Sequence, residues 1–277
     1  MASKCGWFRG TCCMVCLLPT LFLFFLFYTQ TDVMKNEELV TVVVDNEEML
    51  RAVPVDKPAS VGVESPSPVI GTTKNLSKIE LMNSCFVQCE REMSLRLYVE
   101  GYQHLYDLLL DLGTVFSIVA TDAKDKVDIL LRLSDQGSKE YTTLESMMLY
   151  ERQIHKNTGA PLLGSRTLLR LHRALKFVML FMKQVSELNK KEQALSDIAY
   201  KAYEESLANF HPWFLRHTAK IAVYALPSRQ ELLTKLYPGC YNVDKSHQQL
   251  HHTSQTIERL YSNVDVLFTK YNLHDLP

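Results

Sequence analysis

The chain has 277 residues, of which 47% are hydrophobic and 22% charged, and its 30 lysines and arginines against 31 acids leave a net charge of -1. That balance supplies no general basic field, which excludes a protein drawn to nucleic acid by charge alone. Ten glycines leave little material for a nucleotide-cradling loop, and with no nucleophile elbow or Ser-His-Asp order in view the chain reads as a binder rather than an enzyme.

In chain order, the first element is apolar. No charge occurs between Arg9 and Asp32, and Cys12 to Tyr28 is almost wholly apolar, including the run Leu21 to Phe27. Residues 1–30 are therefore expected to form a short membrane span or signal segment. Tyr28-Thr29-Gln30-Thr31 lacks a small-residue cleavage pattern, which favours an uncleaved anchor. Lys4 and Arg9 precede it and Asp32, Glu37 and Glu38 follow it, which predicts a type II single-pass protein with its main domain lumenal or extracellular. Cys5, Cys12, Cys13 and Cys16 read either as acylation sites or as apolar filler. Residues 31–78, with Pro54, Pro58, Pro66 and Pro68, read as an extended linker, and Asn75-Leu76-Ser77 is a glycosylation sequon.

Residues 79–277 are predicted to be one all-α domain. Apolar residues recur at spacings of three and four over Leu105 to Val119, Val127 to Leu133, Leu168 to Val185 and Ile257 to Tyr271, and no long alternation of β-branched residues competes with them. Breaks are expected near Ser134 to Ser138, Asn157 to Gly164, Asn189 to Lys191, Pro227 and Pro238-Gly239. About 200 residues of this material suffice for a sizeable core. Cys85 and Cys89, one turn apart, read as buried thiols without metal spacing, and Cys240 completes an odd set. His247, His251 and His252 have no acid or thiol placed to complete a zinc site and read as a solvated helix face. No metal or cofactor is implied.

Two helical stripes change character along their length. Asp122 and Lys126 share a face with Ile129 and Leu133, and Arg166, Arg170 and Arg173 share one with Phe177 and Phe181. Each also has an ordinary reading: a surface ion pair worth a few tenths of a kcal/mol, roughly, and a solvated basic face.

The segment Arg166 to Leu175, the pair Asp122 and Lys126, the run Ala208-Asn209-Phe210-His211-Pro212-Trp213, the run Ala225-Leu226-Pro227-Ser228-Arg229 and the terminal Asp275-Leu276-Pro277 together resemble the glycolipid transfer protein superfamily, from about Leu81 to the C-terminus. Cations at Lys126 and Arg170, where sugar-binding members carry an asparagine and a stacking tryptophan, make the chain look like the ceramide-1-phosphate transfer branch. The resemblance implies a two-layer helical fold around an apolar lipid chamber. It also implies that Lys126, Arg166 and Arg170 bind phosphate, with Arg173 a further headgroup candidate, and that Asp122 and His211 grip the ceramide amide. Phe116, Phe177 and Phe181 are the candidate chamber lining, although phenylalanines at this spacing also fill cores. The implied partners are ceramide-1-phosphate or a related phosphosphingolipid and membranes, with no nucleic acid. The implied activity is transfer between membranes without vesicles; the alternative is a tethered lipid sensor. Relatives working in the cytosol set a second localisation beside the lumenal one.

Overall fold

The computed structural model describes residues 76–277 apart from 113, 188–192 and 238–241. The apolar segment 1–30, the linker as far as Asn75, the breaks expected at Asn189 to Lys191 and Pro238-Gly239, and Cys240 lie outside the described residues. Among the described residues there are nine α-helices and no strand, and no helix is long and apolar enough to cross a membrane.

The helices are α1 (Lys78–Glu92), α2 (Leu95–Asp111), α3 (Thr114–Asp135), α4 (Leu144–Thr158), α5 (Leu163–Ser186), α6 (Leu195–Ser206), α7 (Trp213–Val223), α8 (Arg229–Leu236) and α9 (Val243–Tyr271). Short side chains set several of their starts. Ser77, Thr143 and Ser228 each close a capping box with the residue three positions on, satisfying backbone donors at both ends of the motif. Gly137 and Gly159 adopt left-handed conformations at the expected breaks after α3 and α4. The break between α1 and α2 has no such punctuation: Met93 itself turns left-handed at φ 49°, and Ser94 then caps α2. An isolated bridge pins this turn to the start of α4, with Leu95 N–H donating to Thr142 O at 3.1 Å and Leu144 N–H to Met93 O at 2.8 Å. The apolar spacing over Leu105 to Val119 covers parts of two helices, since α2 ends at Asp111 and α3 starts at Thr114.

Helix α1 packs against α2 and α9, α2 against α3, and α5 against α9, α3, α4 and α6. The chain thus closes on itself around α5, whose Leu168, Leu169, Leu171, Leu175 and Val185 are buried. On the α1 and α2 flank, Phe86, Tyr98 and Tyr102 form an aromatic trio with centroids 5.1 to 6.4 Å apart, and the Tyr102 hydroxyl donates to Leu171 O of α5. Gly101 is needed there because a Cβ would stand 2.2 Å from the Phe86 ring.

Two expectations are corrected. His247 is buried, so the three histidines do not share a solvated face; of the three, His251 and His252 are exposed. Of the two α1 thiols, Cys89 is buried and pushed up to about 12 by desolvation, while Cys85 stays partly exposed.

Candidate functional site

Helix α3 presents Asp122 and Lys126 as a 2.6 Å ion pair, and the ammonium also donates to the Asp122 carbonyl at 3.2 Å. Asp122 is 40% exposed but Lys126 only 15%, so the lysine stem lies along the protein and brings its charge back to the acid. Helix α5 packs against α3 and carries Arg166 and Arg170, both half-buried, near its start.

What fixes the start of α5 is not its own N-cap residue, since Leu162 provides no side-chain bond. The Glu151 carboxylate of α4 accepts instead from Gly164 N–H (2.6 Å), Ser165 N–H (2.7 Å) and the Ser165 hydroxyl (2.7 Å). Glu151 is fully enclosed; burial raises its carboxyl above the usual range, against the pull of these bonds and of the Arg166 charge. Gly164 allows the close approach, because a Cβ would stand 2.5 Å from Met147 Sδ and 2.9 Å from the carboxylate. This anchor sets where Arg166 and Arg170 project.

His211 follows the 3-10 turn Ala208–Phe210 and precedes Pro212, the N-cap of α7. Its carbonyl accepts from Arg216 Nε at 2.9 Å, and its Nδ1 lies 2.9 Å from the Tyr203 hydroxyl of α6. Burial lowers the imidazole pKa, opposed by the Asp122 carboxylate and reinforced by Lys126 and Arg216. The ring is thus within electrostatic reach of the α3 pair although 85 residues separate it from Lys126.

Arg173 lies within electrostatic reach of Arg170 and has partners of its own. Its guanidinium donates to His274 O at 2.8 Å and lies 4.0 Å over the Phe210 ring, joining α5 to the C-terminal tail and to the turn before His211. Phe177 and Phe181 stack with centroids 6.0 Å apart and are half-buried, as is Phe116. Two surface clefts among the described residues do not include these rings: one is lined by Glu80, Asn83, Lys245 and Gln249 among others, the other by Glu90, Gln255, Glu258 and Arg259 among others.

Sequence reasoning left out three groups. Glu151 and Tyr203 carry no motif and act through contacts 13 and 8 residues along the chain. Trp213, which enters above only as the end of the Ala208 to Trp213 run, is 78% exposed, and Phe210, Ile221 and Tyr224 are exposed nearby.

Residues 93–238 match the family model described as glycolipid transfer protein (GLTP). The ceramide-1-phosphate transfer protein of Xenopus tropicalis is 32% identical over 200 residues, covering 70% of this chain and 92% of that protein; the Homo sapiens protein of that name is 30% identical over 201 residues, 69% and 92%. The mouse ceramide-1-phosphate transfer protein in its apo form superposes with a TM-score of 0.67 at 31% identity, covering 73% of this chain and all of that one. The human protein in complex with 12:0 ceramide-1-phosphate gives 0.63 at 30% identity, covering 71% and 97%. With the family match spanning residues 93–238 and relatives of that family at 30% identity and above covering more than two thirds of the chain, this chain belongs to the glycolipid transfer protein family.

Proposed function

We propose that this protein binds ceramide-1-phosphate, or a closely related phosphosphingolipid, and moves it between membranes without vesicles. The observation that supports the reading is the electrostatic reach between His211 and the Asp122–Lys126 pair of α3, a helix that packs against α5 with its Arg166 and Arg170. A phosphate monoester bears about -1.5 to -2 charges at neutral pH and three strong acceptors, which suit Lys126, Arg166 and Arg170. A ceramide amide offers one N–H and one carbonyl; Asp122 accepts from the first and His211 donates to the second. Arg173, which donates to His274 O and lies over Phe210, is kept as a further headgroup candidate because its charge reaches Arg170. The similarity to proteins named for ceramide-1-phosphate transfer, one of them solved with that lipid, points the same way.

Each CH₂ of an acyl chain costs about 0.8 kcal/mol to expose to water, so the chains need an apolar shelter during transit. Phe116, Phe177 and Phe181, half-buried on α3 and α5, are the candidates for its wall. The exposed Trp213, Ile221 and Tyr224 of the α7 region, with Arg216 and Lys220 on the same helix, are suited to a membrane interface, where aromatic bodies and cationic tips are both satisfied.

The test is transfer by the full-length chain of ceramide-1-phosphate and of a neutral glycosphingolipid between donor and acceptor vesicles. Movement of the phosphate lipid, with loss of about tenfold or more in Arg170→Leu, is expected. Preference for the sugar lipid would sink the headgroup assignment, and binding without transfer would convert the reading to that of a sensor.

A further inference from the structure

We infer that Tyr203 is a positioning residue that fixes the tautomer of His211, making the imidazole a hydrogen-bond donor toward the lipid. The inference deepens the proposed function and rests on it for the identity of the group that faces His211; the tautomer itself is a property of the protein alone.

The backbone of His211 is held from both sides. Its N–H donates to Ala208 O at 3.3 Å, its carbonyl accepts from Arg216 at 2.9 Å, and Phe210 before it lies under the Arg173 guanidinium. The ring has one protein hydrogen bond among the described residues, the 2.9 Å contact of Nδ1 with the Tyr203 hydroxyl. The two rings lie 5.6 Å apart and are tilted at 43°. Tyr203 is buried on the last turn of α6, so this contact is built into the fold rather than made by a surface group.

Which atom carries the proton follows from chemistry. Burial pushes the phenol up to about 12, so it keeps its hydrogen, while burial lowers the imidazole and leaves it with one. If Nδ1–H donated to the phenol oxygen, the phenolic hydrogen would have no acceptor among the described residues, and a buried donor left unmade is costly. If the phenol donates to Nδ1, the better donor meets the better acceptor, and the imidazole hydrogen must lie on Nε2. The free edge of the ring is then a donor.

This polarity matters because Asp122 already supplies an acceptor. A second acceptor at His211 would match a group with two donors; a donor there matches a group with one N–H and one carbonyl, which is an amide. Tyr203, which need not touch the ligand, thereby sets which linkage the site reads. The hydrogen bond that enforces this belongs to a class with a net worth of about 0.5 to 1.5 kcal/mol, so its loss is expected to weaken the amide contact roughly two- to tenfold.

The experiment uses the full-length chain labelled with ¹⁵N-histidine, with the His211 signals identified by their loss in His211→Asn. The wild-type ring is expected to show a protonated Nε2 and a bare Nδ1 at neutral pH. Tyr203→Phe, which preserves the buried ring, is expected to populate both tautomers and to slow ceramide-1-phosphate transfer roughly two- to tenfold with the thermal transition retained. A wild-type ring protonated on Nδ1, or an unchanged tautomer in Tyr203→Phe, would overturn the inference. A locked Nε2–H in a chain that moves no ceramide-1-phosphate would support the lock and defeat the lipid reading instead.

Discussion

Lys126 and Asp122 occupy each other in this structure, and the lipid reading gives each a different partner. Phosphate takes the ammonium, and the amide N–H takes the carboxylate. The pair therefore exchanges one ion pair for two ligand contacts without leaving a charge stranded, which is the arrangement that avoids the cost of an unpaired, partly buried ion. The i, i+4 pair itself is worth little to the fold, because Asp122 remains substantially solvated. Lys126→Met is accordingly expected to lose roughly tenfold or more in ceramide-1-phosphate affinity, the scale of one charge-assisted hydrogen bond. Its melting temperature should stay within a few degrees, a change of about 1 kcal/mol or less. Vesicle-binding titrations beside thermal unfolding check both; an unchanged affinity would return the pair to the ordinary surface role that its spacing equally allows.

At the scale of elements, α5 is held in place by its neighbours. Glu151 of α4 fastens its first turn, and at its far end Val185 O accepts from Arg229 at 2.6 Å where α8 begins. Glu151→Ala would leave two backbone donors and a hydroxyl buried without their acceptor, each worth about 1 to 3 kcal/mol. Relief of the carboxylate's own burial offsets part of that. A net loss of about 2 to 4 kcal/mol is expected, or roughly 5 to 15 °C in Tm at this chain size, with weaker phosphate binding as the arginines lose their register. Calorimetry beside binding measures both effects, and a variant as stable as the wild type would show that α5 does not depend on the anchor. The three-and-four apolar spacing made α5 and the main course of α3 and α9 legible from sequence, because each buries one continuous stripe. The breaks at Gly137 and Gly159 were legible because glycine adopts the left-handed region freely. Met93 was not, since nothing in a methionine announces positive φ; the turn is held by the bridge to Thr142 and Leu144. Asp122, Lys126, Arg166, Arg170 and His211 were read through the family pattern. Glu151 and Tyr203 escaped because their roles exist only once two helices meet, and the exposure of Trp213 escaped because a single aromatic residue in a motif does not reveal which side of its helix faces solvent.

At the scale of the whole molecule, α5 is fastened to α9 along one side, and that seam carries a pH liability. His172, 2% exposed, is stacked 4.1 Å from Tyr261 and lies 5.2 Å from Phe268, with Nε2 3.1 Å from Asp265 Oδ1 of α9. Arg173 next to it holds the tail at His274. Burial depresses the His172 pKa to about 4 despite the Asp265 carboxylate. The unfolded chain takes up a proton near pH 6.5 while the folded ring refuses it until about pH 4. The unfolded state therefore binds more protons across that window, and stability falls as pH drops through it. At about 1.4 kcal/mol per pH unit the loss approaches roughly 3 kcal/mol over the window, and about 2 kcal/mol by pH 5. Glu151, with a raised carboxyl, contributes with the opposite sign at acid pH, so the comparison must be a double difference. Urea denaturation of wild type and His172→Phe at pH 7 and pH 5 isolates the histidine. The variant is expected to start less stable, having lost the Asp265 contact, but to lose about 2 kcal/mol less on acidification. Equal losses in the two proteins would mean that α9 opens enough at acid pH to let the imidazole charge in place, and that the seam between α5 and the C-terminal helix is looser than its stacked rings suggest.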